Sequence, residues 1–371
     1  MTTRTADAVV VGAGIVGCAT AYYLARAGVR AVLVDGDGIA RHASGFAYGG
    51  LYPLSGAGIP GPMFALARRS FALHHELSEA LPDESGFDIG FRSRPTVSLA
   101  FAEDEAAGIR EHVAWVNAQA GFRAEWLSAT ALRKVIARIA DDAVGGALYY
   151  GAAEVDPAGL TRALAQASGA EVLADVAVGL NHDGDRAIGL RLRDGGEIAC
   201  GAVVLAQGPW AGAASDWLGA PVPVTPLKGE ILRLEAQGPP IDCSIGWRGN
   251  YATTKPDGLL WAGTTEDVAG FDEAPTEAGR RSVLGNLVRM LPALEGARVV
   301  AQTACLRPMT PDGNVMLGRA PGLRGVYVAT GGRRKGILYG PGMGAACADL
   351  VVTGATDLDL TPYDPGRFGR S

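Results

Sequence analysis

The chain has 371 residues, of which 48% are hydrophobic, and it carries a formal net charge of −6 at pH 7. This length suits two domains or one large domain with an inserted lobe. The negative charge disfavours binding to nucleic acid and to anionic membranes, and the composition indicates neither a fibrous nor a membrane-embedded protein. An α/β protein that acts on small molecules remains.

The sequence gives no sign of export or of metal binding. Five cysteines are scattered without a C-x-x-C spacing, which favours a reducing cytoplasm as the location of the protein. The apolar stretch from Val9 to Leu24 is interrupted by glycines and preceded by Asp7, so it is not expected to be a secretion signal. The five histidines lack the spacing of metal ligands, and no metal site is predicted.

The first motif is a strand, a glycine turn, a helix and a second strand. Val9-Val10-Val11 runs into Gly12-Ala13-Gly14-Ile15-Val16-Gly17, and a second apolar run ends on Asp35. Such glycines permit a tight turn, let backbone N–H groups approach a pyrophosphate, and let helix and strand pack closely. Asp35 lies where a carboxylate can bind ribose hydroxyls. The motif predicts an adenine dinucleotide and leaves NAD and FAD open.

A loop and two helices follow in the predicted order. The Gly/Pro-rich stretch from Gly45 to Pro62 is too long for an idle connection, so it is expected to line a site. A helix is predicted from about Met63 to Leu81, with Pro82 ending it. A further helix is predicted from Ala158 to Ser168, with Asp156 as its N-cap.

The second half of the chain is predicted to contain two kinds of sheet. Strands at 171–178, 187–192 and 197–205, separated by hairpin turns, predict a meander attached to a parallel sheet. Alternating strands between Pro221 and Ala262 predict an antiparallel sheet and therefore a second domain. Near the C-terminus, a buried strand ends at Gly331-Gly332, and a helix follows Gly336.

Taken together, these features resemble the superfamily of glycine oxidase and D-amino-acid oxidase (DAO), which are FAD-dependent amine oxidoreductases, and most closely its glycine oxidase branch. The resemblance runs nearly end to end and depends on the order and spacing of short segments. These are Val9–Gly17 with Asp35, Ala43-Ser44, Gly49-Gly50, Val155–Pro157, Val203–Trp210, Leu227–Glu230, Tyr251, Gly263–Thr265, Leu306–Gly313 and Gly331–Leu338.

The fold class that follows is α/β, with a Rossmann-like FAD-binding domain that has a parallel sheet and a β-meander. A second, α+β substrate domain carries the antiparallel sheet. The FAD-binding domain is expected to comprise residues 1–80, 148–218 and 300–371. The substrate domain is expected to comprise residues 81–147 and 219–299.

The resemblance implies FAD as the cofactor. It implies that Ser44 brings a hydroxyl to the pyrophosphate, that the backbone of Val178 contacts adenine, and that residues 332–338 wrap the flavin. On pattern alone, Ser44 is a turn serine and Val178 a core valine. A helix N-terminus beside the flavin would stabilise negative charge on its reduced form. The expected cofactor-binding residues are Gly12, Gly14, Ile15, Val16, Gly17, Asp35, Ala43, Ser44, Tyr48, Gly49, Gly50, Val178, Gly208, Trp210, Cys305, Gly332, Arg333, Lys335, Gly336, Ile337 and Leu338.

Three residues match positions that contact the substrate in glycine oxidases. Arg307 and Arg334 match arginines that bind the substrate carboxylate, and Tyr251 matches a tyrosine that faces the substrate across the flavin. An arginine can bind a carboxylate through two parallel hydrogen bonds and thereby fix its orientation. The alternatives are that the two arginines lie at the surface, with Arg333 able to replace Arg334, and that Tyr251 belongs to the core of a strand.

The sequence also departs from the family pattern. The histidine common after the glycine of the last strand is replaced by Gly332, and the loop at 45–52 is bulkier and more aromatic, so the substrate need not be glycine. Cys305 aligns with the cysteine that carries covalent flavin in monomeric sarcosine oxidases. The alternative is a buried thiol that acts as a small hydrophobe. The lysine that those oxidases place over the flavin corresponds to Trp261.

The predicted function is FAD-dependent oxidation of the C–N bond of a small amino acid, such as glycine, sarcosine, a D-amino acid or a cyclic imino acid. Hydride transfer to flavin N5 would give an imine that water hydrolyses. Molecular oxygen, or a quinone or carrier, would reoxidise the flavin. The alternatives are a dehydrogenase using such a carrier, an oxidase module acting on a carboxymethylaminomethyl-type substrate and, from another class, an NAD-dependent dehydrogenase. No nucleic acid partner or membrane span is expected, and the oligomeric state stays open.

Overall fold

The computed structural model describes residues 4–369. The chain forms two compact units. Unit 1 contains the described parts of Met1–Phe91, Val155–Leu227 and Leu306–Ser371, and unit 2 contains Arg92–Glu154 and Lys228–Cys305.

Nine α-helices are found within residues 4–369, together with several short 3-10 turns. The helices are α1 (Ile15–Arg26), α2 (Ala43–Phe46), α3 (Phe64–Ser85), α4 (Glu103–Asn117), α5 (Ala129–Val135), α6 (Pro157–Ser168), α7 (Ser215–Leu218), α8 (Glu277–Met290) and α9 (Gly336–Val352). The 3-10 turns are Gly208–Ala214, Pro292–Leu294, Arg333–Lys335, Thr361–Tyr363 and Pro365–Phe368.

The strands of the described residues include several of only two or three residues. They are β1 (Arg4–Thr5), β2 (Ala8–Val11), β3 (Ala31–Val34), β4 (Gly50–Leu51), β5 (Arg92–Ser93), β6 (Thr96–Ala100), β7 (Arg123–Ser128), β8 (Gly145–Tyr150), β9 (Ala153–Glu154), β10 (Glu171–Leu173), β11 (Ala177–Asp183), β12 (Arg186–Leu192), β13 (Glu197–Ala199), β14 (Ala202–Leu205), β15 (Thr225–Glu235), β16 (Ser244–Trp247), β17 (Asn250–Thr254), β18 (Leu260–Gly263), β19 (Arg298–Met309), β20 (Met316–Arg319) and β21 (Val326–Thr330).

The central sheet of unit 1 has the strand order β10-β3-β2-β14-β21-β20, and all neighbours are parallel except β20 and β21. Val203 pairs with Val9 on one side and with Val326 on the other. Strands β2, β14 and β21 are buried along their whole length, as expected for parallel strands covered on both faces. The loops that follow β2, β3, β14 and β21 therefore leave the sheet at the same edge.

Close packing between α1 and α9 depends on small side chains. A Cβ atom at Gly344 would lie 2.6 Å from the Cβ of Ala19, and one at Gly340 would lie 2.5 Å from Ile15. The two helices can approach this closely because those atoms are absent. Helix α9 is thereby held against the helix that begins at the glycine turn.

The four-stranded meander of unit 1 differs in part from the predicted one. Its order is β1-β13-β12-β11, whereas Glu171–Leu173 and Ala202–Leu205 belong to the central sheet. The predicted strands at 171–178 and 197–205 are therefore wrong, because each divides between two sheets. The chain bends at Asp175, whose N–H donates to the carbonyl of Leu173, and at Gly201, whose N–H donates to that of Asp7.

Two predicted helices can be compared directly with the structure. Helix α6 begins at Pro157, and the side chain of Asp156 accepts a 3.0 Å hydrogen bond from Ala158 N, so the predicted N-cap is confirmed. Helix α3 continues through Pro82 to Ser85, so the predicted break at Pro82 is wrong. Pro82 lies exposed in the last turn, where water can satisfy the carbonyl that a proline leaves unpaired.

Unit 2 contains a sheet with the order β19-β15-β18-β17-β16-β6-β8-β7. The pairs β15–β18, β18–β17 and β17–β16 are antiparallel, and β16–β6 is parallel. One sheet face contributes Leu232, Leu260 and Ala262 to a buried cluster that also contains Val283 and Leu287 of α8. The predicted α/β class, with both parallel and antiparallel sheets, is confirmed.

Candidate functional site

The three glycines of the turn after β2 differ in the space that is available for a side chain. Gly12 has φ +105°, and a Cβ there would overlap the carbonyl of Ala206. A Cβ at Gly17 would overlap the carbonyl oxygen of Gly12. A Cβ at Gly14 would meet only Ser44 Oγ, at 3.2 Å. Gly12 and Gly17 are thus required by the fold, whereas Gly14 keeps a space open in front of the turn, as a pyrophosphate needs.

Asp35 is fixed at the end of β3 by three backbone donors. Its Oδ2 accepts a 2.7 Å hydrogen bond from Ala13 N, and its Oδ1 accepts from Asp37 N at 2.9 Å and Gly38 N at 2.8 Å. A carboxylate offers about four acceptor positions. Asp35 therefore keeps the capacity to accept a hydrogen bond from a ribose hydroxyl.

Ser44 links the start of α1 to the loop after β3. Its Oγ accepts a 2.9 Å hydrogen bond from Ile15 N, which is one of the N–H groups at the helix N-terminus. A hydroxyl that accepts one hydrogen bond can still donate another, and a phosphate oxygen is a suitable acceptor. The open space at Gly14, the remaining capacity of Asp35 and the hydroxyl of Ser44 fit the adenosine diphosphate part of a dinucleotide.

Contacts between loops hold the strand ends together at this edge. Ala206 N donates a 2.8 Å hydrogen bond to Val11 O, and Thr330 Oγ1 donates one of 2.8 Å to Gly208 O. Gly208 has φ +56°. The turns that follow β2, β14 and β21 are therefore neighbours, although they are far apart in the sequence.

Helix α9 contains a proline in its second turn. Pro341 has no N–H, so it cannot donate the helical hydrogen bond to the carbonyl of Ile337, four residues earlier. His74 on α3 lies with its Nε2 3.0 Å from that carbonyl, and Nε2 must therefore donate. One turn away on α3, Ser70 Oγ accepts a 2.8 Å hydrogen bond from Gly342 N. Helix α3 thus completes the backbone hydrogen bonding that Pro341 interrupts.

His74 is fully buried. Burial lowers its pKa to about 4, although bonding to the backbone of Ile337 and Leu338 acts in the opposite direction. The imidazole is therefore neutral at neutral pH and retains one N–H for Ile337. Sequence reasoning considered the histidines only as metal ligands and missed this role of His74. The signal that could have found it was a proline four residues after Ile337.

Lys335 connects the last 3-10 turn to the Gly/Pro-rich loop. Its Nζ donates to the carbonyl of Tyr52 at 2.7 Å and to that of Ser55. Desolvation, and then repulsion by Arg334, lower the pKa of Lys335 to about 7. The side chain of Lys335 therefore anchors the loop, and only its backbone remains for the predicted contact with the cofactor.

The predicted substrate arginines differ in exposure. Arg307 on β19 is 7% exposed, whereas Arg334 in the turn at 333–335 is exposed. Both belong to unit 1. The guanidinium of Arg333 lies against Gly313, with Nη1 2.7 Å from the position of a Cβ there. The suggestion that Arg307 is a surface arginine is wrong, because its side chain is buried.

The remaining predicted residues lie as follows. Val178 is 44% exposed on β11, so it is not a core valine. Gly49, with φ +83°, packs against the carbonyl of Val155.

Tyr251 and Cys305 belong to unit 2, where Tyr251 is partly exposed on β17 and Cys305 is buried on β19. Val16 lies in α1, Ala43 begins α2, Tyr48 lies in the loop, Gly50 begins β4, Trp210 follows Gly208, Gly332 precedes the turn at 333–335, and Gly336 and Leu338 open α9.

Neither a metal-binding cluster nor a membrane-spanning helix is found in the described part of the chain. Within residues 4–369, no group of three or more His, Cys, Asp or Glu side chains is arranged to hold a metal ion. In that same part of the chain, no helix has the length and apolarity that crossing a membrane requires.

Comparison with known proteins defines the class. Residues 7–350 match the family model described as FAD dependent oxidoreductase (DAO). The chain belongs to this family, so FAD is its cofactor and the NAD-dependent alternative is wrong. The protein is an FAD-dependent oxidoreductase.

Several of the proteins to which the chain is similar are amine oxidases of known name. The chain is 31% identical over 365 residues to a glycine oxidase of Geobacillus kaustophilus, with 97% of each chain covered. It is also 31% identical to a glycine oxidase of Pseudomonas aeruginosa, with 97% and 99% covered. The crystal structure of the Geobacillus kaustophilus glycine oxidase matches with a TM-score of 0.92 at 30% identity, covering 98% and 99% of the two chains. An iminodiacetate oxidase from Chelativorans sp. BNC1 matches with a TM-score of 0.87 at 26% identity, covering 96% and 98%.

Proposed function

We propose that the protein oxidises the C–N bond of a small amino acid and that the product imine is hydrolysed by water. The observation that carries this proposal is the buried Arg307 in the same unit as the dinucleotide turn, in a chain related to glycine oxidases over nearly its whole length. A guanidinium that is shielded from water binds a carboxylate through strong, charge-assisted hydrogen bonds. An amino-acid substrate carries such a carboxylate.

In this proposal, Arg307 and Arg334 bind the substrate carboxylate. A guanidinium offers parallel N–H donors that match the two oxygens of a carboxylate. This fixes both the position and the direction of the substrate, so that its α-carbon can be presented to the flavin. The likeness to glycine oxidases also supports a substrate contact for Tyr251. Bound FAD supplies the hydride acceptor.

The start of α9 provides electrostatic stabilisation. The first turn of a helix presents unpaired N–H groups and a partial positive charge. Ser70 and His74 hold the interrupted turn of α9 in place, so these donors are already oriented. Negative charge that develops on the reduced cofactor is favoured beside them.

The proposed chemistry needs no strong base from the protein. The amine has only to bind in its neutral form or lose its proton to solvent. Catalysis then consists mainly of orientation and of electrostatic stabilisation. A reaction of this kind requires no Ser/His/Asp constellation.

The electron acceptor is molecular oxygen or another acceptor such as a quinone or carrier. Under anaerobic conditions, glycine, sarcosine, D-amino acids and cyclic imino acids would each be mixed with the purified protein while flavin absorbance is followed. We expect at least one of them to bleach the flavin. Readmission of oxygen with formation of hydrogen peroxide would identify an oxidase, and slow reoxidation that a quinone accelerates would identify a dehydrogenase. A flavin that no amino acid reduces would contradict the proposal.

A further inference from the structure

One face of the unit 2 sheet carries an arginine that the proposed reaction does not use. Arg233 on β15 pairs with Trp261 on β18, and Trp261 pairs with Thr253 on β17. Tyr251 lies two residues from Thr253 on the same strand. Because side chains two residues apart share a sheet face, Arg233, Trp261 and Tyr251 lie on one face. The opposite face bears Leu232, Ala252 and Ala262, which enter the buried cluster.

The ring of Tyr251 lies across Gly263. A Cβ atom at Gly263 would be 2.6 Å from the Tyr251 hydroxyl oxygen, so the ring occupies the place of a missing side chain. Gly263 pairs with Ile231 on β15, two residues before Arg233. The Tyr251 hydroxyl is therefore displaced across the face toward the strand that carries Arg233.

The guanidinium of Arg233 stacks on an aromatic ring. Its Cζ lies 4.2 Å from the centroid of Trp261, and the indole N–H of Trp261 donates a 3.1 Å hydrogen bond to Asp257 Oδ2. Lys255 places a second cation 5.7 Å from the same centroid. A guanidinium stacked in this way keeps its N–H edge free to bind an anion in its plane.

The hydrogen bonds of Arg233 are incomplete. Within residues 4–369, its buried Nε has no hydrogen-bond partner, and burial lowers the pKa of its guanidinium. The acidic residue that influences it is Asp257, whose carboxylate already accepts from Trp261. A half-buried cation with an unfilled donor is costly unless a ligand supplies the acceptor.

We propose that Arg233 binds a second carboxylate of the substrate, so that the preferred substrates are amino acids with two carboxylates. This inference depends on the proposed function, because the family resemblance places Tyr251 at the substrate. A second carboxylate of a substrate that contacts Tyr251 would extend along the same face of the unit 2 sheet to Arg233. Arg233 is thus a specificity-determining residue.

The first test compares two substrates that differ by one carboxylate. Sarcosine and iminodiacetate share the glycine unit, and only iminodiacetate carries a second carboxylate. In the FAD-bound parent, we expect kcat/KM for anaerobic flavin reduction to favour iminodiacetate. In Arg233→Gln, kcat/KM for iminodiacetate should fall roughly 10- to 100-fold, mainly through KM, while that for sarcosine changes less than about twofold. Equal losses for both substrates, or none, would overturn the proposal.

The matched control is Arg110→Gln. Arg110 is also stacked on a tryptophan of unit 2, with its Cζ 4.3 Å from the ring centroid of Trp126. This substitution removes a stacked guanidinium from a different position on the unit. The preference for iminodiacetate should be unchanged in it.

The second test needs no turnover. Glutarate has the same chain length as iminodiacetate, and butyrate is glutarate with one of its two carboxylates replaced by hydrogen. Each is titrated into the FAD-bound protein while the flavin spectrum is followed. Glutarate should bind at least about tenfold more tightly than butyrate, and Arg233→Gln should abolish the difference. A ratio that is unaffected by the substitution would refute the role of Arg233, whether or not any amino acid reduces the flavin.

Discussion

His74 Nε2 and the carbonyl oxygen of Ile337 are joined by a hydrogen bond of 3.0 Å, at the one place in α9 where Pro341 cannot provide the helical donor. The carbonyl belongs to the first turn of the helix that is proposed to cover the flavin. A side chain of α3 therefore supplies a hydrogen-bond donor that the backbone of α9 lacks. The consequence is an energetic coupling between His74 and Pro341.

That coupling can be measured with a double-mutant cycle. His74→Ala leaves the Ile337 carbonyl buried without a donor and should cost about 1–3 kcal/mol of unfolding free energy. In Pro341→Ala, residue 341 regains an N–H for that carbonyl, so His74→Ala should cost clearly less. Denaturant unfolding of the four proteins gives the coupling. His74→Gln, which keeps an N–H donor, should be intermediate, and the exposed His75→Ala serves as control. Equal costs in both backgrounds would show that the two residues are independent.

Acid stability should also depend on His74. Its pKa is about 4 in the folded protein, against 6.5 for the free side chain, so the unfolded chain binds the proton more readily. Stability is therefore fully present above about pH 6.5 and is lost as pH falls toward 4, by roughly 3 kcal/mol from this residue. In His74→Gln, the slope of unfolding free energy between pH 4 and 6.5 should be shallower. A slope identical to that of the parent would mean that the imidazole does not titrate as described.

Two glycines of the turn after β2 are expected to have different roles, Gly14 in leaving room for FAD and Gly17 in allowing the chain to fold. Gly14→Val adds a side chain at a residue with ordinary φ and only Ser44 nearby, so the protein should fold but be purified without FAD. Gly17→Ala places a Cβ against the Gly12 carbonyl and should instead lower the unfolding free energy by several kcal/mol. Flavin absorbance and thermal unfolding distinguish the two results. A Gly14→Val protein with a full complement of FAD would contradict the pyrophosphate assignment.

Lys335 should control the order of the Gly/Pro-rich loop. Lys335→Met removes the donors to Tyr52 and Ser55 and keeps most of the side-chain volume. We expect native-state proteolysis at 52–62 to become about tenfold faster, while global unfolding changes little. Lys134→Met, at an exposed position, is the matched control. Protection equal to that of the parent would mean that other contacts hold the loop.

The glycine turn and the N-cap at Asp156 could be predicted because they follow from local rules of backbone geometry and hydrogen bonding. The strands at 171–178 and 197–205 could not be divided correctly, since apolar patterning does not reveal where a chain leaves one sheet for another. The role of His74 depends on the packing of α3 against α9. Only its counterpart, the proline four residues after Ile337, was visible in the sequence.

We propose that the enzyme recognises its substrate through a carboxylate bound to Arg307. Rates of anaerobic flavin reduction by an amino acid would be compared in the parent and in Arg307→Ala, with an amine that lacks a carboxylate as reference. We expect Arg307→Ala to retain FAD and fold but to lose about 2–5 kcal/mol of binding, a fall of roughly 30-fold to several thousand-fold for the amino acid alone. Unchanged reduction by the amino acid would contradict the account.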